Sequence, residues 1–345
     1  MSVPCTISQT CLQSKKSGTT SLTEFLDKHP NIIRSRRKEL LFFLPKLLRR
    51  NYTRNGRVLV KKARQNFLYD SLNFNWKEIK RRRNNLSFDA TPGYIFHSAI
   101  VPQYVFCVCP WVKVLVILRD PVDRFWSHYN FLKQYSEKPS IPIEDWVTND
   151  LNILKQYRLI EFSNTIKYVS NPMDASKSTP SVAEVESTLQ IAWGRYTVMA
   201  GEKMPLKTGE GAIGRGIYCI QLFQWFKALI DMGRDPTQDL LIVHTQDLSR
   251  DPQSVLDRVH AWLGLPPHAV RDLRKHMVTN YTNSSVLNDD TRRRLETFYA
   301  PFNKQLSRML SDDSWDRAWD YSNHTYIDAQ APFNATRAIL AWPAD

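Results

Sequence analysis

Lys113-Val114-Leu115-Val116-Ile117-Leu118, followed at once by Arg119-Asp120-Pro121, is the stretch that decides the fold. Five apolar residues in a row, three of them β-branched, leave no polar face, so the segment reads as a strand buried on both sides. Pro121 then stands in the first turn of a helix whose Phe125, Tyr129 and Leu132 share one face. Leu240–His244 (LLIVH) repeats the strand pattern, and a helix is expected from Asp251-Pro252 through Leu263, with Gly264 ending it. Working back toward the start, residues 6–13 read as a poorer strand, with Ser8, Gln9 and Thr10 where apolar residues are expected. Thr19–Lys28 reads as a helix burying Leu22, Phe25 and Leu26, ended by His29-Pro30. Further helices are expected at Gly216–Ile230, Asp289–Leu310 and near 183–199. Strands alternating with helices predict an α/β domain with a central parallel sheet covered by helices on both faces. We expect one such domain over residues 1–320, with an insertion at 165–210 and a tail at 321–345.

The chain has 345 residues, 42% hydrophobic and 12% aromatic, which excludes a disordered polypeptide. Its five cysteines (5, 11, 107, 109 and 219) are too few and scattered for a disulfide scaffold, and no Cys/His cluster has zinc spacing. No apolar run approaches the roughly 18–20 residues that span a bilayer. The net charge of +13 is local. Residues 34–83 hold seventeen Lys and Arg against three acids, Glu39, Asp70 and Glu78, so the remainder is nearly neutral. Runs such as Lys80–Arg83 fit a solvated insert. The whole segment, with Phe42, Phe43, Tyr52, Phe67, Tyr69, Phe74 and Trp76 interleaved, fits better a surface facing a polyanion.

Between the first strand and the first helix lies Lys16-Ser17-Gly18-Thr19-Thr20-Ser21-Leu22. A glycine permits a tight turn, the following N–H groups point inward, and the helix N-terminus adds partial positive charge. One lysine and several hydroxyls complete a cradle for a phosphate-like group. An NTPase loop needs Gly-Lys-Ser/Thr, which is absent from the chain; here the lysine precedes the glycine.

This loop resembles the 5′-phosphosulfate loop of sulfotransferases that use 3′-phosphoadenosine 5′-phosphosulfate (PAPS). Arg119-Asp120-Pro121-Val122-Asp123-Arg124-Phe125-Trp126-Ser127-His128-Tyr129 resembles their 3′-phosphate motif. The resemblance, which runs from about residue 6 to 320, implies a P-loop-like three-layer fold and PAPS as co-substrate without a metal. It implies donor contacts from Lys16, Ser17, Gly18, Thr19, Thr20 and Ser21, and 3′-phosphate contacts from Arg119 and Ser127. A guanidinium fork and a hydroxyl suit that phosphate. Read without the family, Arg-Asp-Pro is a helix cap beside a surface ion pair.

Lys38-Glu39-Leu40-Leu41-Phe42-Phe43 resembles the Glu-x-x-Phe-Phe stretch of the Golgi heparan-sulfate branch, which implies that Glu39 is the general base and Lys16 the catalytic cation. The alternative for Glu39 is a surface pair with Arg36 or Arg37; His97 and His128 are lesser candidates for the base. Two departures stand out. Asp89-Ala90-Thr91-Pro92-Gly93-Tyr94 lacks a lysine that the family often carries in this stretch, and the loop that closes over the nucleotide has no counterpart after Leu265. Tyr281 and Arg292–Arg294 are candidate substitutes for that loop.

The expected reaction is sulfation of a hydroxyl or amine on an acidic polysaccharide or glycan. Sulfation of protein tyrosine or a small alcohol, or silent polyanion binding, are the alternatives. Nucleic acid is not expected as a partner, since no basic-aromatic RNA motif appears. The N-terminal residues lack signal-peptide features, yet six Asn-x-Ser/Thr sites occur, at Asn51, Asn85, Asn280, Asn283, Asn323 and Asn334. The resemblance implies a type II Golgi membrane protein, attached only through an anchor upstream of Met1 in a longer natural chain; the N-terminus taken literally gives the alternative, a cytoplasmic enzyme.

Overall fold

The computed structural model describes residues 9–13, 16–46, 53–54, 57–69, 73–75, 78–79, 86–135, 141–160, 182–200, 211–273 and 287–311. The chain divides into two compact units, Met1–Arg119 with Ala228–Asn280, and Asp120–Lys227 with Tyr281–Asp345. In chain order the elements begin β1 (Gln9–Gln13), α1 (Thr19–Leu26), β2 (Ile32–Arg34), β3 (Thr53–Arg54), β4 (Arg57–Val58) and α2 (Val60–Tyr69). Next come β5 (Leu86–Asp89), α3 (Gly93–Phe96), α4 (Val101–Val108), β6 (Lys113–Leu118), α5 (Pro121–Tyr135) and α6 (Ile143–Gln156). The last are α7 (Val182–Val198), α8 (Tyr218–Asp231), α9 (Pro236–Asp239), β7 (Leu240–His244), α10 (Thr245–Arg250), α11 (Pro252–Trp262) and α12 (Asp289–Leu310).

The first unit is built on a five-stranded sheet in the order β2-β5-β1-β6-β7, and every pairing in it is parallel. The KVLVIL segment is β6, paired along its length with both β1 and β7, and its Val114 to Leu118 are fully buried. One face of the sheet carries Leu115, Ile117, Val243 and Phe88, which join Leu22, Phe25 and Leu26 of α1 and Val255, Leu256 and Val259 of α11 in one apolar cluster. Burial of Val114, Val116 and Leu118 shows that the other face is covered as well, as parallel sheets require. β1 is the topological switch point, because the chain goes from it to β2 and β5 on one side and then crosses to β6 and β7 on the other. In such sheets ligands bind outside the carboxyl ends of the strands at that point. The loop 16–21 follows β1 and stands there.

Most expected elements appear where the periodicity places them. The helix expected from 251 is preceded by a separate one, α10, which ends at Asp251. Pro252 disfavours helical backbone in the residue before it, and Asp251, at φ −137° and ψ 79°, is non-helical and caps α11 through the Ser254 N–H at 3.1 Å. The helix expected from Gly216 starts at Tyr218, because Gly214–Gly216 form a 3₁₀ turn.

The second unit gathers helices around that turn. Gly216 is required there, since a Cβ would stand 2.8 Å from the Tyr299 hydroxyl and 2.9 Å from Pro121. Asp150 of α6 accepts the Ile213 N–H at 2.6 Å, Tyr299 of α12 donates to the Ile213 carbonyl at 2.8 Å, and Arg124 of α5 donates to the Ala212 carbonyl. Burial pushes the Asp150 carboxyl up to about 7, against the pull of Arg124 and Arg215. Of the expected insertion at 165–210, only 182–200, which holds α7, is described; its flanks and the tail 321–345 lie outside the described residues, as do all six Asn-x-Ser/Thr sites. Among the described residues no helix is long and apolar enough to cross a membrane.

Candidate functional site

The loop after β1 has an unusual backbone. Lys16 and Gly18 have φ of 73° and 80°, in the left-handed region that a residue with a Cβ avoids. Gly18 also approaches β7's end closely, where an added Cβ would stand 3.4 Å from Thr245 Cγ2. The Thr245 hydroxyl lies 2.7 Å from the Ser17 carbonyl and 2.9 Å from the Leu118 carbonyl, so its single proton serves two strand-end loops. Arg119, the residue after β6, makes a long 3.5 Å contact from Nη1 to the Lys16 carbonyl.

Gly18 is the N-cap of α1, with no side-chain cap and no acid in the first turn, and the helical ladder starts with the Leu22 N–H on the Gly18 carbonyl at 3.1 Å. The Ser17 hydroxyl is buried and has no hydrogen-bond partner among the described residues. A helix N-terminus without a capping carboxylate, an orphaned hydroxyl and two cations in chain and space beside it fit a phosphate or sulfate group.

The stretch after β2 forms the other half of the site. Its backbone is pinned by buried groups at the end of β5. The Leu40 N–H donates to Asp89 at 3.1 Å, the Leu41 N–H to the Thr91 hydroxyl at 3.0 Å, and the Phe43 N–H to the Tyr94 hydroxyl at 3.2 Å. Asp89 also accepts from Thr91 at 2.7 Å and Tyr94 at 2.6 Å. Burial pushes the Asp89 carboxyl up to about 6, against those hydrogen bonds, with Glu39 adding to the rise. Leu41 is held at φ 60° with its side chain exposed. Phe42 and Phe43 stack on Phe67 of α2, with ring centroids 5.0 and 4.7 Å apart.

Glu39 is exposed, and its pairing is with Lys38 at 3.9 Å rather than with Arg36 or Arg37. Lys38 turns into the other loop, where its Nζ donates to the Thr20 hydroxyl at 2.7 Å. The first unit therefore brings together Lys16, Ser17, Gly18, Thr19, Thr20, Ser21, Lys38, Glu39 and Arg119.

Ser127 belongs to the second unit, buried in the second turn of α5. Asp120 is the helix cap that Arg-Asp-Pro suggests on its own, accepting the Asp123 N–H at 2.7 Å, and burial pushes its carboxyl up to about 6. His128 is fully buried 3.4 Å from Arg124, which suits packing rather than proton transfer to a large acceptor. His97 is buried at the end of α3 against Phe96. Arg292 pairs with Asp123 at 3.2 Å, Arg293 with Asp290, and Arg294 with the Thr148 hydroxyl at 2.9 Å; Tyr281 lies outside the described residues. Sequence reasoning passed over Lys38 and Thr245. The signal for each was position: Lys38 adjoins Glu39, and Thr245 ends the strand LLIVH.

A family model described as "Sulfotransferase domain" matches residues 13–299. The membrane-associated sulfotransferase kil1 of Dictyostelium discoideum is 23% identical over 329 residues, covering 86% of this chain and 64% of that protein. Human heparan sulfate glucosamine 3-O-sulfotransferase 3B1 is 23% identical over 329 residues, covering 88% and 63%. Human carbohydrate sulfotransferase 15 is 20% identical over 243 residues, covering 68% and 35%. The chain thus spans about a third to two-thirds of the length of these relatives. A crystal structure of a sulfotransferase from Alicyclobacillus acidocaldarius superposes with a TM-score of 0.51 at 20% identity, covering 92% of this chain and all of that one, which establishes a P-loop-like sulfotransferase fold.

Proposed function

Because the chain belongs to the sulfotransferase domain family, we propose that it transfers a sulfuryl group from PAPS to a hydroxyl of a carbohydrate. The observation that carries this reading is the loop 16–21, a left-handed turn opening an uncapped helix at the switch point of a parallel sheet. PAPS supplies an activated sulfuryl group on a phosphate. Lys16, the buried Ser17 hydroxyl and the first N–H groups of α1 hold its 5′ end, and Arg119 its 3′-phosphate. Glu39 takes the proton of the acceptor hydroxyl, whose oxygen forms the new S–O bond. The old S–O bond breaks with its electron pair on the 5′-phosphate, leaving adenosine 3′,5′-bisphosphate, and the cations and helix dipole stabilise that charge.

Support for a carbohydrate acceptor comes from relatives named for heparan sulfate and carbohydrate, and from the charge around Glu39. Arg36, Arg37, Lys46, Lys61 and Lys62 are exposed, and α2, which carries the last two, stacks on the Glu39 loop through Phe67. Other cations of the segment are structural: Arg34 pairs with Glu24 at 2.8 Å, and Arg64 donates to the Val108 carbonyl at 2.6 Å. The test is incubation with sulfur-labelled PAPS and a panel of desulfated polysaccharides. Label entering a polysaccharide is expected. Labelling of tyrosine peptides or simple alcohols alone would overturn the carbohydrate reading.

A further inference from the structure

We propose that Lys38 is a second catalytic cation, which contacts the sulfuryl oxygens of the donor alongside Lys16. The proposal rests on PAPS being the donor. Lys38 reaches the donor loop from a different strand end, and its placement is fixed at three points. Its carbonyl accepts the Ala90 N–H at 3.2 Å, and the N–H of Leu40, two residues on, is taken by buried Asp89. Its Nζ then lies 2.7 Å from Thr20 Oγ1 in the first turn of α1.

In that bond Thr20 is the acceptor, so its own hydroxyl proton is directed away from Lys38, and the neighbouring ammonium makes it a better donor to an anion. The side chain is one-quarter exposed, enough to meet a ligand while remaining held. The same ammonium stands 3.9 Å from Glu39. One residue therefore joins the group that would take the acceptor's proton to the loop that would hold the leaving phosphate. During transfer the sulfuryl group lies between those two places, and a cation there stabilises its oxygens as the S–O bond to phosphate lengthens.

Trace acetylation of the wild-type protein, read by mass spectrometry, tests the contact without relying on turnover. PAPS should shield Lys38 about fivefold, and adenosine 3′,5′-bisphosphate, which lacks the sulfuryl group, by about twofold or less. Lys38→Met should lower turnover about tenfold or more with bisphosphate affinity within about threefold, and Lys38→Arg should recover part of the loss. Equal shielding by the two nucleotides, or near-normal turnover in Lys38→Met, would overturn the proposal. So would a fall in turnover matched by an equal loss of bisphosphate affinity, which would make Lys38 only a strut for Thr20. A wild-type protein that binds neither nucleotide would instead overturn the donor assignment itself, and this proposal with it.

Discussion

The loops after β1 and β2 reach the same edge of the sheet and are built in opposite ways. In the first, Lys16 to Ser21, the shape comes from the local chain: a glycine that tolerates φ 80°, a helix that starts at once, and backbone carbonyls tied by Thr245 and Arg119. In the second, Ser35 to Leu44, the shape is imposed from about fifty residues away by Asp89, Thr91 and Tyr94, which receive the backbone N–H groups of Leu40, Leu41 and Phe43. The first loop is a preformed cradle. The second is a strap whose position depends on one buried carboxylate.

If that contrast holds, the largest effect follows from removing the carboxylate. Asp89→Ala leaves the Leu40 N–H and two hydroxyls without their acceptor. It should destabilise the first unit on the order of 3–5 kcal/mol, measured by denaturant unfolding. The conservative Asp89→Asn isolates the charge. The fold holds the Asp89 proton up to about 6, while the free side chain releases it near 3.8. Between those values the folded state binds a proton that the unfolded chain has lost, so stability falls as pH rises through that window. Asp89→Asn should remove the Asp89 share of that slope, leaving the shares of Asp120 and Asp150.

The cradle should break differently. Gly18→Ala puts a Cβ at φ 80°, a backbone strain of about 1–2 kcal/mol, while the Cβ itself meets Thr245 at an ordinary contact distance of 3.4 Å. Adenosine 3′,5′-bisphosphate affinity should fall about tenfold while the melting transition moves little. Unchanged affinity would show that the turn is not what holds the donor.

These differences also explain what was legible in the sequence. β6, α5 and α12 were plain because unbroken apolar runs and one-faced periodicity are local signals. The cradle was legible for the same reason, its glycine, hydroxyls and helix start lying within seven residues. Glu39 is singled out only by resemblance, since nothing nearby in the sequence distinguishes it from other surface acids. The placement of Lys38 was not legible because its contacts are with Thr20, eighteen residues earlier, and Ala90, fifty-two later. The start at Asp251-Pro252 was legible from its cap and proline, whereas α10, six residues between the strand LLIVH and that cap, is too short to show a helical period.

Two smaller effects sharpen the contrast. Replacing Arg36, Arg37 and Lys61 by Gln should raise the KM for a polyanionic acceptor about threefold to tenfold, with less change in kcat and a weaker dependence on salt. A salt-insensitive KM would mark those cations as merely solvated. Leu41→Gly relieves a left-handed leucine at the expense of chain entropy, so stability should change by less than about 1 kcal/mol. Turnover should nevertheless fall, because the strap beside Glu39 is loosened.

The most direct measurement is calorimetric titration of the wild-type protein and of Arg119→Ala with adenosine 3′,5′-bisphosphate and with 5′-AMP. If the strand-end edge of the first unit holds a 3′-phosphorylated donor, the wild type should bind the bisphosphate about tenfold or more tightly than 5′-AMP, and Arg119→Ala should lose most of that preference. Equal affinity for the two nucleotides, or a preference that survives Arg119→Ala, would contradict it.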